Sequence, residues 1–104
     1  MNNEKDPEKD IEEETPLKTA LGIEDQLDLY KNKLILRKKG LANMAKSSNK
    51  LFKINEVSSI SIKPAGTLFD GKFEITSSAG IKYTVKFKSY SQPEFEDIKF
   101  LLNK

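Results

Sequence analysis

A chain of 104 residues fits a single domain with a thin core, since a domain of this length buries only about 60 to 65% of the surface its unfolded chain exposes. It has no cysteine and no histidine, which removes disulfides, thiolate chemistry, the usual neutral-pH proton shuttle and the commonest metal ligand. The net charge of +2 balances two opposed parts: residues 1–14 carry seven acids against two lysines, residues 15–28 three acids against one lysine, and residues 29–104 fifteen basic groups against six acids, giving −5, −2 and +9.

Residues 1–14 hold no aromatic and, after Met1, only Ile11 as a sizeable apolar group, so they cannot offset the entropy of ordering and are expected to form a disordered acidic arm. TPLKTALG, residues 15–22, reads as a short helix. Thr15 suits the N-cap, Pro16 the first helical position, and Leu17, Ala20 and Leu21 share one face, while Gly22 ends the turn in a left-handed conformation. So short a helix persists only when docked, and a plug over one end of its own domain is the expected role.

From Gln26 the period is two. QLDLY, a Lys31-Asn32-Lys33 turn and LILRKK read as a hairpin with Leu27, Leu29, Leu34 and Leu36 on its core side. GLANMAKSSN reads as a long loop. LFKI sets Phe52 and Ile54 together, VSSISIK sets Ile60 and Ile62 together, and KFEIT turns Phe73 and Ile75 inward. Five strands are expected, with residues 41–46, inside that loop, and 67–69 as candidates for a sixth or seventh. Pro64-Ala65-Gly66, Asp70-Gly71 and Ser77-Ser78-Ala79-Gly80 mark turns. In IKYTVKFK, Ile81, Tyr83, Val85 and Phe87 face one way and Lys82, Thr84, Lys86 and Lys88 the other.

After Ser91 the period changes to that of a helix. Ser91 and Glu94 match a capping box, Tyr90 and Phe95 a hydrophobic staple, and Phe95, Ile98, Leu101 and Leu102 an apolar stripe. A stripe of this kind needs a cover, and the open mouth of a curled antiparallel sheet supplies one. The expected fold class is mainly β: a barrel or roll of antiparallel strands over residues 26–104, closed by one C-terminal amphipathic helix.

The order of these elements, with the K-P-A-G turn after SSISI, a Gly-led strand at 71 and a final Pro-Glu-Phe helix, resembles the bacterial pleckstrin-homology-like family, and within it a group of uncharacterised domains. The resemblance spans residues 26–104. It implies a non-enzymatic binding or adaptor module. Eukaryotic pleckstrin-homology domains carry a tryptophan in the last helix, and this chain has none, so by the resemblance Phe95 or Phe100 is expected to occupy that space.

The residues themselves exclude most catalysis. Glu96 and Asp97 are adjacent on a helix and do not face each other, Glu12, Glu13 and Glu14 lie in the arm, and no serine has a histidine to activate it. No Gly-rich phosphate loop is present, and no cofactor, metal site or small-molecule substrate is expected. The remaining candidates are cations. By the resemblance, Lys31, Lys33, Arg37 and Lys39 at the first hairpin would hold an anion, and Lys82, Lys86 and Lys88 line the outer face of the last strand. The bland alternative is that these groups keep sheet edges soluble.

Another protein is the first expected partner, bound at a sheet edge or in the groove between strand and terminal helix. An anionic membrane is the second, with the acidic arm competing for the basic face. Nucleic acid ranks below both, because Phe52, Phe73, Tyr83 and Phe87 are in phase with the core, leaving only Tyr30, Tyr90 and Phe69 to stack on bases. The longest apolar runs, Leu34-Ile35-Leu36 and Phe100-Leu101-Leu102, are far below the roughly 20 residues of a membrane helix, and no segment resembles a signal peptide, so a cytoplasmic location is expected.

Overall fold

The computed structural model describes residues 15–38 and 49–104. Seven strands lie within them: β1 (Lys18–Leu21), β2 (Asp25–Leu29), β3 (Lys33–Lys38), β4 (Lys50–Lys53), β5 (Val57–Lys63), β6 (Gly71–Ser77) and β7 (Lys82–Phe87). A 3-10 turn at Ile54–Glu56 joins β4 to β5, and a second at Ser89–Ser91 leads into helix α1 (Gln92–Leu102). The strands form two antiparallel sheets, ordered β1-β2-β3-β4 and β5-β6-β7.

Alternation decides which side chains meet between the sheets. In the first, Leu27 lies opposite Leu36, and Leu29 opposite Leu34, which in turn faces Phe52. In the second, Phe73 lies between Ile62 and Val85, and Ile75 between Ile60 and Tyr83. Phe95, Ile98 and Leu102 of α1, spaced three and four apart, join the same buried cluster. Phe95 is fully buried in this cluster, and Phe100 points to solvent.

Several expectations are corrected. Residues 15–22 are not a helix. Lys18–Leu21 is a strand paired with β2 in the register Lys18 to Leu29 and Leu21 to Gln26, so pairing with a ready-made neighbour overrides the local helical signals. Gly22 has no left-handed role: a Cβ there would sit 2.6 Å from Val85 Cγ1, so its smallness lets the β1–β2 turn press on β7. No closed barrel forms among the described residues. The Ile23 amide donates to the Lys86 carbonyl at 2.8 Å, joining the sheets at one corner without a continuous ladder.

Residues 67–69 are bends, not a strand, and the expected strand at 41–46 and the expected arm at 1–14 fall outside the described residues. At the helix start, Ser91 already has near-helical angles (φ −98°, ψ −6°) and its side chain makes no cap bond. Glu94 Oε1 instead accepts from the Leu21 amide at 3.4 Å. The staple is absent too, since Tyr90 is 83% exposed, and Leu101 leaves the stripe for solvent.

Gly71 marks the tightest packing of the fold. A Cβ added there would lie 2.2 and 2.4 Å from Phe87 Cε1 and Cζ, inside a ring that stacks on Phe95 with centroids 4.7 Å apart. Gly71→Ala is expected to destabilise by about 1–3 kcal/mol through overpacking, read as a lower urea midpoint, whereas Gly66→Ala, with open space around it, is expected to change the midpoint little. Equal midpoints for the two variants would contradict this packing.

Candidate functional site

The cations named from the sequence do not form one patch. Those of the first hairpin belong to the outer face of the four-stranded sheet and Lys82, Lys86 and Lys88 to that of the three-stranded sheet, while Lys39 lies outside the described residues. Lys31 is exposed in the β2–β3 turn, and the Lys33 ammonium sits 4.8 Å from the centre of the Tyr30 ring.

Arg37 is committed to its own protein. Its Nε donates to Asp28 Oδ2 at 2.7 Å and its Nη2 to the Tyr30 hydroxyl at 2.9 Å. Thr19 Oγ1 and Gln26 Nε2 donate to Asp28 Oδ1 at 2.9 and 3.0 Å, which completes a polar network across β1, β2 and β3. Burial pulls the guanidinium pKa down, but its bonds to Asp28 and Tyr30 outweigh that and leave it raised. Tyr30, expected at the surface, is buried here. Two of the Arg37 nitrogens are therefore engaged within the fold, and its side chain is 27% exposed.

The β2–β3 turn could have revealed this. A two-residue connection between Tyr30 and Lys33, closed by the Tyr30 amide on the Lys33 carbonyl, fixes Gln26 opposite Arg37 and Asp28 opposite Ile35. Arg37 then lies diagonal to Asp28, within reach of its long side chain.

Outward residues of the three-stranded sheet give a different grouping. Lys63, Lys72 and Lys86 lie directly opposite one another across β5, β6 and β7. Lys82 approaches Glu74 at 3.9 Å, and Lys88 donates to Asp70 at 2.9 Å, a bond that raises the Lys88 pKa. Five lysines thus meet two acids on this face of the described residues. Lys63 and Lys72 were missed in the sequence, because whether Lys63 of β5 lies opposite Lys72 of β6 depends on the register across the 64–70 loop.

Two apolar features adjoin the sheet. One is a cleft of about 360 Å³ between β5 and α1, lined by Ile62, Glu96, Lys99, Phe100, Asn103 and Lys104, with Phe100 82% exposed at its side. The other is the tip of the 64–70 loop, where Leu68 is 85% and Phe69 76% exposed beside Tyr90 and Lys88. On the remaining corner, Asp25 Oδ1 is buried without a hydrogen bond, but the Lys38 ammonium lies 3.1 Å away and balances its charge. Among the described residues no group of three acidic, histidine or cysteine side chains is arranged to hold a metal, and no helix is long and apolar enough to cross a membrane.

Comparison with protein-family profiles, curated proteins and solved structures found no match to this chain.

Proposed function

We propose that this chain is a non-enzymatic, pleckstrin-homology-like docking module that recognises an extended segment of another protein by strand addition along β5. The order of four strands, three strands and a closing helix supports the family resemblance. The observation that carries the reading is the juxtaposition of an edge strand with an apolar-sided cleft. Among the described residues β5 is paired on one side only, and α1 runs beside it with Phe100 in solvent and Ile62 half-buried.

An edge strand is a hazard unless protected or used. The irregular register between Val57 and Ser59 blunts the first part of β5, while Ile60 to Lys63 continues in regular pairing. Backbone hydrogen bonds to that stretch would supply affinity, and the cleft would select an apolar side chain of the added strand. Lys99 and Lys104 outnumber Glu96, which accepts from Gln92, along the same cleft and favour an acidic flank on the partner.

A display library of extended peptides selected on the full chain tests this. Selected peptides are expected to be apolar with an acidic flank and to shift the amide resonances of residues 60–63 and of α1. Phe100→Asp should weaken them about 30-fold, the effect of losing an anchor worth roughly 2 kcal/mol, with the melting temperature unchanged. Binding peptides that leave β5 and α1 unshifted would overturn the proposal, as would a selection that enriches none.

A further inference from the structure

We infer that the corner cleft where the β1–β2 turn meets β7 binds a small zwitterion, an α-amino acid gripped by its ammonium group on one side and its carboxylate on the other. The cleft has a volume of about 290 Å³. Ile23, Glu24 and Asp25 enter it from the turn and the start of β2, Thr84 and Lys86 from β7, and Lys38 and Asp70 complete the lining. Its backbone is tied in place. The Ile23 amide donates to the Lys86 carbonyl and the Gly22 amide to the Asp25 carbonyl, both at 2.8 Å, while Gly22 presses on Val85 with no room for a Cβ.

The charges of the cleft select the ligand. The carboxylates of Glu24, Asp25 and Asp70 meet the ammonium groups of Lys38, Lys86 and Lys88, the last of which holds Asp70 at 2.9 Å. A balanced cleft of this kind draws in neither a simple anion nor a simple cation. Its charges are nevertheless not all spent. Lys38 faces Asp25, but Glu24 and Lys86 have no ion-pair partner among the described residues. Lys86 lies directly opposite Lys72, a like-charge pairing that a carboxylate beside it would relieve. Asp25 Oδ1 is buried and accepts no hydrogen bond, a cost that an entering ammonium donor removes. A molecule carrying both charges answers both needs, its ammonium toward Asp25 and Glu24 and its carboxylate toward Lys86 and the Thr84 hydroxyl.

Size and lining narrow the class. The volume lies at the low end of ligand pockets, which run from roughly 300 to 1,000 Å³, so a single amino acid fits and an extended peptide does not. Ile23, 39% exposed, is the apolar side chain of the lining and suits a short aliphatic group such as that of alanine or valine. The sequence gives no sign of this site, because residues remote in the chain compose it only where the two sheets meet. It stands on the β7 side of the three-stranded sheet, and β5 is the opposite edge, so it neither needs nor blocks strand addition there.

Titration of the full chain with L-alanine and L-valine, followed by amide NMR, tests this. Resonances of residues 23–25 and 84–86 are expected to move with either amino acid. They should move little with N-acetylvaline, which lacks the ammonium, or with valine methyl ester, which lacks the carboxylate. Glu24→Gln and Lys86→Met should each weaken valine binding at least about tenfold, the effect of losing a hydrogen bond to a charged group. Both side chains are exposed, so the melting temperature should not change. Lys99→Met, at the β5–α1 cleft, should leave valine binding as it is. Unmoved resonances at residues 23–25 and 84–86 up to the solubility limit of valine would overturn the inference. So would equal shifts with the two singly charged analogues, or valine binding indifferent to both Glu24→Gln and Lys86→Met.

Discussion

Phe95→Ala is expected to destabilise the protein by about 3–5 kcal/mol, a large part of the roughly 5–15 kcal/mol typical of a folded domain. Phe95 is fully buried where α1 meets the inner face of the three-stranded sheet, against Phe73 of β6 and Phe87 of β7. Its ring stacks on Phe87 at 18° and 4.7 Å and packs on Phe73 at 48° and 5.3 Å. Removing it loses the transfer energy of the ring and leaves a cavity whose walls are set by strand pairing, so they cannot collapse to fill it. At about 4 °C or more for each kcal/mol, the thermal midpoint should fall by at least about 12 °C. Phe100→Ala is the control, since it removes the same ring from a site 82% exposed and should cost under about 0.5 kcal/mol. Comparable losses from the two substitutions would show that α1 is not held by the face assigned to it.

The contrast between these two phenylalanines also shows what could be read in the sequence. Strict alternation in β7 and in the Leu27, Leu29, Leu34 and Leu36 set, and the three-four spacing of Phe95, Ile98 and Leu102, are direct consequences of burial on one side, so strands, helix and core were legible. β1 was not. KTAL is four residues of which Ala and Leu favour a helix, and its extended state is imposed by β2, which no local pattern displays. The expected cap at Ser91 failed for a related reason: a 3-10 turn at residues 89–91 brings Ser91 to near-helical angles and swings Tyr90 outward, while Glu94 is drawn to the edge of β1.

The candidate sites divide along the same line. Alternation alone places Lys82 and Lys86 on an outer face, but aligning Lys86 with Lys72, and Lys72 with Lys63, takes the registers of two strand pairs, one of them set by a loop whose length does not dictate its shape. Charge counting likewise could not separate Arg37, spent inside the fold, from lysines that face outward. The exposed Leu68 and Phe69 are the sharpest case, because TLF in isolation resembles a strand and becomes a presented tip only through the backbone bonds that hold the loop.

Arg37→Met should cost about 3 kcal/mol, and the reason lies in what it leaves behind. Asp28 is 4% exposed at its side chain, and without Arg37 it keeps only the neutral donors of Thr19 and Gln26 to replace its lost hydration. The guanidinium is itself 27% exposed, so water can enter as it leaves, which sets the expected cost at the low end of the range for breaking a buried pair. Met covers the same strand surface, so the loss reflects the uncompensated carboxylate and not a cavity. Asp28→Asn in the Arg37→Met background removes that charge and should restore about half of the lost stability. The single Asp28→Asn change should weaken the fold by about 1–2 kcal/mol, because Arg37 retains the Tyr30 hydroxyl and partial access to water. Urea unfolding of the four proteins gives the coupling, expected at about 3 kcal/mol, and a coupling close to zero would mean that the cross-strand network holds Arg37 in place without stabilising the sheet.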